Sequence, residues 1–166
     1  MSQISEAKRA RKGDLYQDDF HAWTFEQARR LRNGEAFDTK NVAEELEDLG
    51  RSQQQQLVNR LAVLLAHMLK WEHQPKKRSP SWTASMREQR IRIRRLLLNM
   101  PSLRARLPKS VEEAYEIAIA FASSETGIVE EDFPRECPYT FAEILPDDAA
   151  PPLRRARHGR SKKTSQ

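Results

Sequence analysis

Thiols are almost missing from this chain: Cys137 is the single cysteine among 166 residues. No intrachain disulfide can form, and no cysteine cluster can hold zinc. Glycine is scarce as well, with five in the whole chain. There is no glycine-rich phosphate loop, no Gly-x-Ser-x-Gly elbow and no His-Glu-x-x-His zinc motif. The apolar run Leu61 to Leu65 is far short of the roughly 20 residues that cross a bilayer. The N-terminus is polar and lacks the hydrophobic stretch of a signal peptide. These absences predict a cytoplasmic protein with no membrane span, no metal and no cofactor, and they point to no catalytic residue.

Hydrophobic residues make up 38% and charged residues 32% of the chain, enough for a modest core under a well-solvated surface. Leu, Ala, Glu, Arg and Gln are abundant, and these side chains lose little rotamer freedom in a helix. The expectation is an all-α, single-domain helical bundle with one long central helix and short C-terminal helical turns.

The formal charge of +5 is unevenly spread. Residues 1–13 carry four cations against Glu6, and residues 151–166 carry six cations and no acid. The basic character therefore belongs to the ends, which read as a disordered basic tail over 1–13 and a Pro-rich, then basic, disordered tail over 147–166. The helical domain is expected over 14–146. Within it the charge is polarised. Residues 70–109 hold twelve Lys/Arg against Glu72 and Glu88, and residues 110–150 hold eleven acids against Arg135. Two such segments are expected to pack together and neutralise one another, in competition with ligand binding by the basic one.

Periodicity places the helices. Leu15, Phe20, Trp23, Ala28 and Leu31 form a rough stripe that Asn33 and Gly34 end, with Thr24 as the candidate cap of a second piece. A long helix begins at Thr39 or Asn41 and runs to about Glu72, through Gly50. Its stripe is Val42, Leu46, Leu49, Gln53, Leu57, Leu61, Leu64, Met68 and Trp71. Residues 74–80 form a loop. The next helix spans about 81–99, with Trp82, Met86, Ile93, Leu96 and Leu97 on one face and Arg87, Arg90 and Arg94 on another. Ser110, with Glu113 three residues on, is the expected start of a helix that Gly127 closes. Residues 140–145 form a last short helix.

The richest stretch for chemistry is 67–90. His67, Lys70 and Trp71 share one helical face at i, i+3 and i+4. Gln74, Arg78 and Trp82 follow at the junction, and Arg87 and Arg90 lie beyond it. Cations beside two tryptophans suit a phosphate and a stacked base. The competing expectation puts Trp71 and Trp82 in the core, with Lys70 snorkelling and His67 hydrogen-bonded at its edge. The acids Glu44, Glu45, Glu47 and Asp48 suit the positive end of the long helix. No Glu-x-x-His pair accompanies them, so a di-iron site is not expected. Cys137 has no activating neighbours and reads as structural.

The stretches Asn41 to Gly50 (NVAEELEDLG), His67 to Pro75 (HMLKWEHQP) and Arg78 to Trp82 (RSPSW) resemble a bacterial family known as domain of unknown function 29. Glu88 to Arg90, Pro101 to Leu103 and Phe133 to Pro138 resemble its later blocks. The likeness spans about residues 14–146. It implies an all-helical bacterial cytosolic protein and brings no activity with it. Its motif positions fall on His67, Lys70, Trp71, Gln74, Pro75, Arg78, Ser81, Trp82, Gln89 and Arg90.

Three functions are consistent with these residues. The first is a non-catalytic module that binds nucleic acid or another phosphate-bearing or acidic partner through His67, Lys70, Trp71, Gln74, Arg78, Trp82, Arg87 and Arg90. The second is an enzyme in which Glu44, Glu47 and His67 supply acid–base groups. The third is a protein-interaction subunit, including a homo-oligomer formed through the long helix.

Overall fold

The structure is a computed structural model, and it describes residues 14–146; the tails expected over 1–13 and 147–166 lie outside the described residues. Among the described residues the regular elements are all helical. They are α1 (Leu15–Asp18), α2 (Phe20–Asn33), α3 (Thr39–His73), α4 (Pro80–Asn99), α5 (Leu107–Thr126) and α6 (Phe141–Ile144). Short 3-10 turns at Pro75–Lys77, Pro101–Arg106 and Glu130–Asp132 join them. The all-α bundle with a long central helix and short C-terminal turns is what the sequence predicts. The chain forms two compact units, one ending at Ser52 and the other starting at Gln53, and α3 contributes residues to both.

The first unit starts differently from the expectation. The break falls at Asp19, whose carboxylate accepts the Ala22 N–H at 2.9 Å and caps α2. Thr24 lies inside α2 and donates its hydroxyl to the His21 carbonyl at 2.8 Å. Gly34, in the left-handed region at φ 67°, ends α2 as expected. The side chain of Asp38 then accepts from the backbone N–H and the side-chain amide of Asn41, opening α3. Trp23 and Gln27 are the buried residues of this unit's described part. Gln27 accepts the Asp38 N–H at 2.9 Å, tying α2 to the entry of α3.

The second unit holds the large core. Leu57, Leu61, Leu64, Leu65, Met68 and Leu69 of α3 pack in one cluster with residues of α4 and α5, notably Met86, Ile93, Leu97, Val111, Tyr115 and Ala118. Phe133 and Ile144 close it from the C-terminal segment. The expected start of α5 is displaced. The helix begins at Leu107, because Pro108 sits in the first turn, where its missing N–H is no loss. Ser110 is consequently a fully buried interior residue, and its Oγ has no hydrogen-bond partner among the described residues. The reciprocal capping box is instead found at α6, between Thr140 and Glu143.

Candidate functional site

The end of α3, the turn at Pro75–Lys77 and the start of α4 bring together Lys70, Trp71, Gln74, Arg78 and Trp82. Glu125 and Thr126, at the end of α5, tie Lys70 and Gln74 to the rest of the unit. Lys70 is 5% exposed. Its Nζ donates to Glu125 and stands 4.6 Å from the centroid of the Trp82 ring. Gln74 Nε2 donates to the Thr126 carbonyl at 3.2 Å. Arg78 Nε donates to the Trp71 carbonyl at 2.8 Å, and the guanidinium lies 4.8 Å from the Trp71 ring centroid. Two cation–π pairs therefore flank the junction, each with a cation over a ring that a base was expected to use.

Several expectations change here. Neither tryptophan is a buried core residue: Trp71 packs against the core while partly exposed, and Trp82 is half-buried. Lys70 does follow the snorkelling expectation in its buried stem, yet its ammonium is enclosed as well. His67 is not hydrogen-bonded through Nδ1, which is buried with no partner among the described residues. Burial holds its pKa below the ordinary value, with Lys70 adding to the effect and Glu125 opposing it.

Arg87 and Arg90 are not gathered at the junction. Arg87 is exposed on the outward face of α4. Arg90 faces inward and donates from Nε to the Ile144 carbonyl and from Nη2 to the Glu143 carbonyl, both at 2.9 Å. It thereby satisfies orphan carbonyls at the end of α6. Burial, with Arg94 adding like charge, holds its pKa below the usual guanidinium value. Glu44, Glu47 and His67 are not brought together either. Glu44 and Glu47 are exposed, Glu47 accepts from Arg51, and more than five turns of α3 separate Glu47 from His67.

Three groups of residues escaped the sequence reading. Lys76 and Lys77 sit exposed on the turn just before Arg78, and both count only as bulk charge in the sequence. Glu125 and Thr126 meet Lys70 and Gln74 across more than fifty residues of chain, a pairing with no local signal. Tyr139 donates to Glu72 at 2.9 Å, and its pKa is driven far above the usual phenol value by burial first and by Glu72 second. Among the described residues, no three of His, Cys, Asp and Glu converge as a metal site, and no helix is long and apolar enough to cross a membrane.

The expected neutralisation of the basic and acidic segments takes a particular form. Lys70–Glu125 and Lys109–Glu113 are ion pairs between them. Arg90 donates to the Glu143 and Ile144 carbonyls of the acidic segment, and Arg94 donates to its Pro146 carbonyl. Among the described residues, exposed charges such as Lys76, Lys77, Arg87, Arg95, Glu112 and Glu116 have no ion-pair partner.

Comparison with known proteins places these blocks in one family model, described as Domain of unknown function DUF29, which matches residues 15–149. No curated protein and no solved structure matches the chain.

Proposed function

The chain belongs to the DUF29 family, and from that premise we propose that it is a non-catalytic module binding nucleic-acid phosphates at the turn between α3 and α4. The observation that carries the reading is the run Lys76, Lys77 and Arg78. All three are exposed, and none has a carboxylate partner among the described residues. They stand immediately before Ser79, the N-cap of the 20-residue helix α4, so the positive end of the helix macrodipole adds to their field. Arg78 donates Nε to the Trp71 carbonyl, and among the described residues its Nη groups have no hydrogen-bond partner.

The two cation–π pairs shape what is recognised. One face of each tryptophan is taken by Arg78 or Lys70, so phosphate contact dominates over base stacking and the binding is indifferent to sequence. We place the protein in the bacterial cytoplasm, a compartment supported by its family resemblance and by its lack of paired cysteines.

The test is fluorescence anisotropy of the full chain with labelled single-stranded RNA and DNA. Three phosphate contacts predict an affinity that falls roughly 20-fold when salt rises about fourfold. The K76E/K77E/R78E chain, helical by circular dichroism, is expected to lose most of that affinity. No binding at low salt overturns the reading. So does a triple variant that binds like the parent while deletion of 151–166 abolishes binding, which would assign the affinity to the tail.

A further inference from the structure

The outward faces of α4 and α5 carry opposite charge. On α4, Arg87, Ile91, Arg95 and Leu98 recur at i, i+4, i+8 and i+11, a single stripe opposite the buried Met86, Ile93 and Leu97. All four are exposed, Ile91 to 41% and Leu98 to 66%. On α5, Glu112, Glu116 and Ala120 recur at i, i+4 and i+8 opposite the buried Val111, Ala118 and Ala122, and all three are exposed. Among the described residues Arg87, Arg95, Glu112 and Glu116 have no ion-pair partner.

A basic stripe with an aliphatic ridge and an acidic stripe ending in a small residue are thus present on one chain. Neither can pair with its own copy, because like charges placed opposite one another are strongly unfavourable. Each can pair with the other stripe on another molecule. We propose that a second copy of this chain covers these faces, the outward face of α4 on one copy meeting the outward face of α5 on its partner. A two-fold arrangement satisfies both stripes twice, once in each direction. Ile91 and Leu98 then lose their exposure against Ala120 and the aliphatic stems of Glu112 and Glu116, which adds apolar burial to the charge match. The turn at Lys76–Arg78 lies outside both stripes, so this pairing is independent of the nucleic-acid reading.

Sedimentation equilibrium of the full chain at up to roughly 100 μM, where a micromolar dimer is almost fully assembled, reads the pairing directly. The parent is expected to be dimeric. R87E/R95E and E112K/E116K change exposed residues only, and each is expected to weaken dimerisation by about a hundredfold through like-charge opposition. An equimolar mixture of the two variants is expected to dimerise again, since the reversed stripe of each then faces its complement on the other. A monomeric parent overturns the proposal. So does a dimer that either variant leaves intact, or a mixture of the two that stays monomeric.

Discussion

Lys70 carries an ammonium group into one of the most enclosed polar positions in the chain. Such a charge is tolerable only with a partner, and Glu125 together with the face of Trp82 provides one. Glu125 itself is more than half exposed, so the pair is anchored from its basic side and screened on its acidic side. His67, one turn earlier on α3, feels both charges. Its pKa is lowered from 6.5, chiefly by burial and next by Lys70. The unfolded chain takes up this proton near the ordinary value while the folded chain resists it. Stability from His67 is therefore complete above about pH 6.5 and is lost as pH falls from there toward the depressed folded value. The urea midpoint is expected to drop between about pH 7.5 and about pH 5.5, and His67→Gln is expected to flatten that slope. An unchanged slope in the variant would assign the titration elsewhere.

At the scale of elements, α3 is the organiser, with 35 residues running unbroken through Gly50. Nothing stands within 4 Å of where a Cβ would sit on Gly50. The glycine therefore costs the helix backbone entropy without any packing reason, and Gly50→Ala is expected to raise stability by about 1 kcal/mol, read as a higher urea midpoint. Gly127 is the opposite case. Space is open around it as well, but its φ of 74° is left-handed. Gly127→Ala is expected to lower the midpoint by an amount equivalent to about 1 kcal/mol or more, because the added Cβ meets the following carbonyl. If both substitutions moved the midpoint the same way, the helix-interior and helix-stop assignments would be wrong. The C-terminal element shows a different dependence. With four residues, α6 cannot stand alone. Its own capping box secures its start, and Arg90 from α4 secures its end.

At the scale of the whole molecule, burial is concentrated in one of the two units. Trp23 and Gln27 are the buried residues in the described part of the first, whereas the second holds the continuous core. Large apolar side chains such as Phe25, Leu31, Leu46 and Leu49 remain exposed in the first unit. Local opening follows burial, so amides of α2 are expected to exchange with deuterium at least ~100-fold faster than those of residues 57–69 in α3. Equal protection would mean that the first unit gains support which its described contacts do not supply. Leu46 and Leu49 belong to the same stripe as Leu57, Leu61 and Leu64, and the sequence assigns all five one role. Burial separates them, because it depends on which elements arrive against each turn of the helix.

The sequence by itself determined the helices, their approximate ends at Gly34 and Gly127, the unequal charge of the segments after residue 70 and the membership of the junction motif. Each of these rests on neighbours within a few residues: backbone propensity, the 3.6-residue period, capping chemistry and local composition. Tertiary structure alone decided which charges are consumed. Lys70 turns to Glu125, Arg90 turns to the end of α6, and Arg78 folds over Trp71. The same folding leaves Lys76, Lys77, Arg87 and Arg95 exposed. Lys70 and Arg90 resemble the free cations in residue type and local spacing, and what separates the two groups is contact with groups more than fifty residues away. Such contacts leave no local period to read, since they are set by the packing of the unit as a whole.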